Sequence, residues 1–404
     1  MGSEVIRALA EEVAEACADP RYARLKSLWT RHNRLEKVEK IPVAVFLHRG
    51  YTETWKELVP PEELVSVDQL ERDVELQLRQ KLFRHRRIPD DFVLLPTVWI
   101  EAVRPAAPDR LWGVALPHVS VDDPRGAYTF EPVIREEADL ARLRYPSYQW
   151  DREATARRIE RARDLVGDLL PVKVLSEELR GNMGEQLVEF LGWEGFLYGF
   201  AERPRLVHRL MDFLTEGFVR YHQDREAQGV VDAEESWWFR IHYEELPPDL
   251  PPNTLRACWI YITAQTTGGI SPAMYEEFIQ PYNERLARIF GENRVYYHGC
   301  EDLTRKIDVI RRLPNLRRFH VSPWTDLRVA AEKLGDGMVL ETHCNPATTT
   351  LSLDRGQMRR EIKHIVDVAG DRIVDVNLSD IQTVGGNPEI LTAWAQIAQE
   401  LSVR

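Results

Sequence analysis

A histidine and a cysteine two positions apart are the residues whose types and spacing best support metal chemistry. They lie in the stretch Tyr296-Tyr-His-Gly-Cys-Glu-Asp302, directly after an apolar run that is typical of a buried strand. Residues two apart on a strand leave the same face of a sheet, so His298 and Cys300 are expected to point in one direction. Imidazole and thiolate together favour Zn²⁺, which prefers tetrahedral nitrogen and sulfur ligation. The alternative is a buried polar strand end that binds no metal.

A third ligand is offered by another cysteine at the end of a second predicted strand, in Glu341-Thr-His-Cys-Asn-Pro346. Three protein ligands with an open fourth position are typical of a catalytic zinc site rather than a structural one. We therefore predict that His298, Cys300 and Cys344 bind Zn²⁺. The alternative is that Cys344 behaves as a small buried hydrophobic residue and binds no metal, as most free cysteines do.

Eight short apolar runs must position these residues, and helical patterns lie between most of them. The runs cover residues 41–47, 92–100, 169–175, 258–263, 294–298, 317–322, 337–342 and 372–377. The helical patterns cover residues 154–166, 204–228, 272–290, 303–312, 325–333 and 357–368. Strands that alternate with helices predict βαβ units and a parallel sheet, and eight of them predict a closed (β/α)₈ TIM barrel. An open, doubly wound sheet is the alternative.

Three segments lie outside this alternation. Residues 3–33 carry the patterns of two short amphipathic helices, so we predict an N-terminal helical extension over residues 1–40 and the barrel over residues 41–404. Residues 104–150 and 230–256 are long insertions, and loops of this length are usually lids or binding loops. We expect both to cover the C-terminal mouth of the barrel, with Trp237 and Trp238 as an apolar wall of the pocket.

Other polar residues stand at the ends of the predicted strands, and active sites of barrels form at that face. They are His48, Arg49, Glu101, Glu177, Glu178, Gln265, His320, Ser322, Asn377 and Asp380. Their convergence on one mouth is what a substrate pocket requires.

Composition limits the class of protein. The 404 residues include 65 acidic and 53 basic side chains, which give a formal charge of −12. This balance argues against nucleic acid as a partner, because phosphate contacts need clustered lysine and arginine. No run approaches the about 20 apolar residues of a membrane span, and the four cysteines are too few for a disulfide framework. Because the N-terminus lacks a cleavage signal, we expect a cytoplasmic protein.

Three stretches resemble one family. They are Pro42 to Tyr51, which covers the first strand and the loop after it, Glu189 to Leu197 followed by Arg203-Pro204, and Ile270 to Phe278 with Pro281-Tyr282, leading into Tyr297-His-Gly-Cys300. Together they resemble the uroporphyrinogen decarboxylase superfamily. The His-x-Cys pair is similar to that of its methylcobalamin:coenzyme M methyltransferase branch and of cobalamin-independent methionine synthase. The resemblance implies a barrel in which a zinc-bound thiolate accepts a methyl group.

The chain departs from that family at two points. Uroporphyrinogen decarboxylases carry paired arginines after the first strand to hold propionates, and here only Arg49 is present. The methyltransferase branch usually takes its third zinc ligand, a cysteine, from the last strand, which here is Val374 to Asp380 and has none. Cys344 substitutes in our prediction, with His343 and Glu341 as alternatives.

We therefore predict a zinc-dependent methyltransferase that moves a methyl group between a small-molecule donor or thiol acceptor and a corrinoid of the methylcobalamin type. The expected partner is a methylcorrinoid carrier protein or free cobalamin, and a homodimer is an alternative to a monomer. The predicted substrate contacts are those of His48, Arg49, Glu178, Trp237, Gln265, His320 and Asn377. The carboxylates of Glu101 and Asp380 are expected to move protons or hold the substrate. The alternatives are a metal-free, decarboxylase-type enzyme on the same fold and a non-catalytic corrinoid- or ligand-binding subunit.

Overall fold

The computed structural model describes residues 2–50, 52–105, 111–120, 128–235 and 243–403. Parallel strands form the centre of the molecule, and helices pack around them. In chain order the parallel strands are β1 (Val43–Val45), β2 (Val98–Glu101), β5 (Val172–Leu175), β6 (Arg180–Gly181), β7 (Ile260–Thr263), β8 (Val295–His298), β9 (Leu316–Val321), β10 (Val339–Cys344) and β11 (Val374–Leu378). Each of the eight predicted runs overlaps one strand, and the short β6 follows the third strand after a break.

The sheet topology confirms the predicted barrel. Seven strands pair in the order β1-β11-β10-β9-β8-β7-β6, and β2 pairs with β5, all in parallel. At the edge of β1 that faces away from β11, side chains replace a neighbouring strand. The carboxylate of Asp91 accepts a hydrogen bond from the amide of Val43 at 2.9 Å, and that of Asp90 accepts one from Val45 at 2.8 Å. Residues 90–91, which follow α4, therefore close the barrel wall beside β1.

Helices connect the strands. In chain order the helices are α1 (Gly2–Cys17), α2 (Pro20–Asn33), α3 (Glu53–Leu58), α4 (Gln69–Arg87), α5 (Arg152–Val166), α6 (Met183–Glu202), α7 (Pro204–Ala227), α8 (Pro272–Phe278), α9 (Gln280–Ala287), α10 (Ile307–Ile310), α11 (Leu327–Leu334), α12 (Pro346–Thr349), α13 (Arg355–Ala369) and α14 (Glu389–Leu401). The predicted helix over residues 272–290 is two helices that meet at Ile279, and Pro281, which has no amide proton to donate, stands in the first turn of the second. The helix predicted over residues 303–312 is confined to α10.

The N-terminal helices pack on the barrel rather than standing apart from it. The apolar face of α1, with Ile6, Ala10 and Val13, shares a buried cluster with residues of α4, α5, β2 and β5. Asp19 caps helix α2 by accepting from the amide of Arg21, and the last turn of the helix contacts Asp375 and Arg318 at the N-terminal end of the barrel. The division into an extension over 1–40 and a barrel over 41–404 stays a prediction.

The insertion at residues 104–150 contains a small antiparallel hairpin, β3 (His118–Ser120) with β4 (Tyr128–Phe130). The chain after it is fixed to α6, because the amides of Val133 and Ile134 both donate to the carbonyl of Phe190. Among the described residues, no helix is long and apolar enough to cross a membrane.

Side chains alternate between two environments along the barrel strands, as the pleat requires. In β8, Tyr297 faces outward, where its hydroxyl lies 2.8 Å from that of Tyr275 on α8. Tyr296 and His298 face the interior, where Tyr296 packs with Trp259 and Tyr261. This alternation decides which of the predicted site residues can meet.

Candidate metal centre

Three donor atoms converge at the C-terminal end of β8 and β9. His298 is the last residue of β8, Cys300 follows two positions later, and His320 lies near the end of β9. One nitrogen of each imidazole and the sulfur of Cys300 all lie within 4.8 Å of one another. The two histidines are buried and the cysteine is exposed, so the cluster sits where the interior opens to the mouth.

The cluster has a defined internal geometry. The Nε2 atom of His298 lies 3.0 Å from the Sγ atom of Cys300. The rings of His298 and His320 stack with centroids 4.0 Å apart and an angle of 15° between their planes. The side-chain amide of Gln265, which follows β7, donates to the same sulfur at 3.3 Å. Two imidazoles and one thiol form a donor set that fits Zn²⁺, which takes nitrogen and sulfur ligands.

The structure does not bring Cys344 into this cluster. Its position in β10 has the parity of Leu340 and Thr342, so its side chain lies on the opposite face of the strand from Glu341 and His343. The thiol is fully buried among the surrounding helices, and burial raises its pKa well above the usual value. A thiol held protonated in this way is a poor metal ligand, since ligation requires the thiolate.

The two alternatives to Cys344 do face the interior, but they bind each other. The Nε2 atom of His343 lies 2.9 Å from the Oε1 atom of Glu341. The ring of His343 packs on that of His320, with centroids 4.2 Å apart. The third donor beside His298 and Cys300 is therefore His320 of β9, which we predict to contact substrate, and not a residue of β10.

Beneath the cluster lies a buried polar network that the sequence analysis did not identify. Arg318 is fully buried, and its guanidinium donates to Glu341 Oε2 at 2.7 Å and to Asp375 Oδ2 at 2.8 Å. Burial alone would lower the pKa of Arg318, but the carboxylates outweigh it and raise that pKa above its usual value. Helix α2 completes the network, because His32 Nε2 lies 3.0 Å from Asp375 Oδ2 and Asn33 Oδ1 accepts from Arg318 at 2.8 Å.

Four of the predicted mouth residues form two pairs at the C-terminal ends of β1, β2 and β11. The Nε2 atom of His48 lies 3.5 Å from Oδ1 of Asp380, and Arg49 lies 4.0 Å from the carboxylate of Glu101. Asp380 has a positive φ of 56°, a conformation that aspartate tolerates better than most residues. In the barrel these strands face β7, β8 and β9, so the pairs lie on the wall opposite the donor cluster.

The remaining predicted residues have other positions. Asn377 is buried, and its amide donates to Asp375 Oδ1 at 2.6 Å and to the carbonyl of Thr342 at 3.2 Å. Glu178 is half-buried after β5, where its backbone carbonyl accepts from Arg225 at 3.4 Å. Trp237 lies outside the described residues, as does Trp238.

Residues 243–256 of the second insertion do not cover the C-terminal mouth. Glu244 forms an ion pair with Arg294, the residue directly before β8, and the amide of Glu245 donates to Thr30 of α2 at 2.9 Å. Both contacts lie at the N-terminal end of the barrel. The expectation that this whole insertion forms a lid is therefore wrong for residues 243–256, which are held at the base by charge pairing and by α2.

One buried acid near the mouth also escaped prediction. Glu235 is 7% exposed, and its Oε2 atom accepts from the hydroxyl of Ser176 at 3.3 Å. Burial raises the pKa of Glu235 to about 7, although the nearby charges of Arg225 and Arg49 act to lower it. The sequence signal was weak, since Glu235 stands in an acidic stretch that resembles a solvated loop.

Comparison with known proteins agrees with this architecture. Residues 255–379 match the family model for uroporphyrinogen decarboxylase (URO-D). The match covers about a third of the chain, so it shows a likeness to that family over this region. The matched residues run from before β7 to the end of β11, so the URO-D region contains His298, Cys300 and His320 together with the polar network of the strands.

A solved structure extends the likeness to almost the whole chain. A methyltransferase from Methanosarcina mazei superposes with a TM-score of 0.55, covering 93% of this chain and 98% of the other at 13% sequence identity. At this identity the likeness shows a shared fold. No curated protein matches the sequence.

Proposed function

We propose that this protein is a zinc-dependent methyltransferase that moves a methyl group between a small-molecule donor or thiol acceptor and a corrinoid. The observation that carries the proposal is the convergence of His298, Cys300 and His320 within 4.8 Å at the mouth of a URO-D barrel. The fold shared with the Methanosarcina mazei methyltransferase supports the same class of reaction.

In this proposal His298, Cys300 and His320 hold the zinc ion, and three protein ligands leave a fourth position for a substrate. A bound zinc ion would keep a thiol acceptor ionised near neutral pH, or would polarise the oxygen or nitrogen of a methyl donor. The exposure of Cys300 supports this proposal, because a substrate that enters the mouth can reach this donor.

The protein's own groups prepare the site for this chemistry. The side-chain amide of Gln265 donates to Cys300 Sγ, and this hydrogen bond would help to hold the sulfur if it binds the metal as a thiolate. On the opposite wall, Arg49 and His48 offer cationic or hydrogen-bonding contacts to a polar substrate. The carboxylates of Glu101 and Asp380 remain our proposal for moving protons or holding that substrate.

The partners in this proposal are a small-molecule donor or acceptor and a methylcobalamin-type corrinoid, bound directly or carried by a corrinoid protein. The methyl group has to cross between the two at the open end of the barrel. The exposed position of Cys300 fits a transfer that takes place at the mouth and not in a closed interior.

Metal analysis tests the proposal. Protein purified without chelator should contain about one equivalent of zinc, and Cys300→Ser and His320→Ala should each lower that content. Cys344→Ala is the matched control, since it removes a thiol from the outer face of the neighbouring strand and should leave the zinc content unchanged.

Two results would contradict the proposal. One is wild-type protein with well under half an equivalent of zinc after exposure to the metal. The other is an equal loss of zinc in the Cys344→Ala control. In the first case the decarboxylase-type reaction would lead, because the URO-D match and Arg49 at the mouth need no metal.

A further inference from the structure

One nitrogen of His298 faces the donor cluster, and the other faces a tyrosine. The Nδ1 atom of His298 lies 2.9 Å from the hydroxyl oxygen of Tyr296, two residues earlier on the same face of β8. That hydroxyl donates to Oε1 of Glu341 on β10 at 2.6 Å. All three side chains are fully buried, so these contacts are protected from water.

The surroundings of Glu341 fix the direction of these hydrogen bonds. Its Oε2 atom accepts twice from the guanidinium of Arg318, at 3.1 Å from Nε and at 2.7 Å from Nη2. A carboxylate paired with a buried arginine only accepts hydrogen bonds, so the single proton of the Tyr296 hydroxyl is directed to Glu341. The hydroxyl oxygen then accepts from His298, and the imidazole must carry its proton on Nδ1.

We propose that Tyr296, anchored by Glu341, is a positioning residue that holds His298 as the Nδ1-protonated tautomer and aims its Nε2 lone pair at the metal position. This inference rests on the proposed function, because it assigns Nε2 of His298 as a zinc ligand. The Nε2 atom already lies 3.0 Å from Cys300 Sγ, so a fixed ring orientation brings the nitrogen and sulfur donors together.

The physical consequence is a lower cost of binding the metal. A neutral histidine can carry its proton on either ring nitrogen, and only the Nδ1-protonated form presents Nε2 as a donor. Without the tyrosine hydroxyl, both the tautomer and the ring angle would have to be selected when the metal binds. Groups that hold the second nitrogen of a metal-bound histidine typically contribute about 10- to 100-fold in affinity.

The neighbouring tyrosine provides a matched control. Tyr297 is equally buried, but it faces outward, and its hydroxyl lies 2.8 Å from that of Tyr275. Both Tyr296→Phe and Tyr297→Phe remove one buried hydroxyl from β8 while the ring remains. Only the first removes a contact to His298, so a general loss of stability would affect both variants and a positioning effect only one.

The first measurement is zinc affinity by competition with a chelator at one fixed pH. Tyr296→Phe should bind zinc about 10- to 100-fold more weakly than wild type, whereas Tyr297→Phe should keep the wild-type affinity. Equal affinities of Tyr296→Phe and wild type would overturn the inference. Equal weakening of both variants would also overturn it, because the hydroxyl of Tyr296 would then have no specific role.

The second measurement needs no metal and does not depend on the variants folding. Nitrogen-15 NMR of metal-free, histidine-labelled wild-type protein reports which ring nitrogen of His298 carries the proton. We expect Nδ1, and an Nε2-protonated ring would overturn the inference whatever the zinc result. If wild type binds no zinc but His298 is protonated on Nδ1, the proposed function fails while the positioning by Tyr296 stands.

Discussion

The buried carboxyl of Glu235 should make the stability of this protein depend on pH in a defined direction. The side chain is 7% exposed, and burial raises its pKa from 4.5 to about 7. Because the folded state holds the proton more tightly than the unfolded chain, this contribution to stability is present below pH 4.5 and is lost as the pH rises through about 7. Integrating between about pH 5 and pH 8 gives a loss of about 2.5 kcal/mol in the free energy of unfolding.

Glu235→Gln removes the titration while it keeps the shape and hydrogen-bonding capacity of the neutral acid. Urea unfolding at about pH 5 and pH 8 should therefore show the variant gaining about 2.5 kcal/mol on wild type over that interval. Glu101→Gln is the control, because its 74% exposed carboxylate stays hydrated in the folded state. If wild type and Glu235→Gln change in parallel between the two pH values, the reasoning from burial is refuted.

Two further predictions concern packing and charge inside the fold. Arg318→Met leaves two buried carboxylates without their cation and should lower the free energy of unfolding by about 3–5 kcal/mol, whereas Arg311→Met, at a half-exposed ion pair, should cost less than about 1 kcal/mol. Gly217→Ala would place its Cβ atom 2.3 Å from a ring carbon of Trp112 and should cost about 1–3 kcal/mol. Gly337→Ala, whose Cβ atom meets nothing closer than 3.6 Å, should change stability little, and urea unfolding separates these cases.

The strands of this barrel were predictable because the pattern that encodes them is local. Each strand is encoded by a short, nearly continuous apolar run, as expected for a strand that is buried on both faces, and helical patterns separate most of the runs. The parallel barrel could therefore be predicted from short-range sequence patterns. The spacing of His298 and Cys300 also carries local information, since two residues of equal parity leave one face of the strand. Their side chains lie 3.0 Å apart at the closest atoms.

The third member of the donor cluster could not be derived in this way. Whether a residue of β9 meets His298 depends on the stagger between neighbouring strands, and the pairing of β8 with β9 shifts register between Val295 and Tyr296. That shift is a property of the assembled barrel. Parity would have excluded Cys344, however, because Glu341 and His343 occupy the positions of the other face.

A second local signal was available for the buried network. Polar residues recur at every second position in three strands, as Arg318 with His320, Glu341 with His343, and Asp375 with Asn377. In a strand with two buried faces, such alternation indicates that one face meets a polar interior. The pattern identifies these residues as a group, but it does not identify their partners on α2, which come from the far end of the chain.

Those partners explain why α2 lies across the base of the barrel. The interior layer formed by Arg318, Glu341 and Asp375 carries one arginine against two carboxylates, and buried charges are stable only when their hydrogen-bonding capacity is satisfied. His32 and Asn33 of α2 add hydrogen-bonding contacts to this layer, at 3.0 Å from Asp375 and at 2.8 Å from Arg318. Glu341 of this layer accepts a hydrogen bond from Tyr296, whose hydroxyl also contacts Nδ1 of His298. The orientation of a donor at the mouth therefore depends on a helix at the opposite end, because a continuous chain of buried hydrogen bonds joins the two.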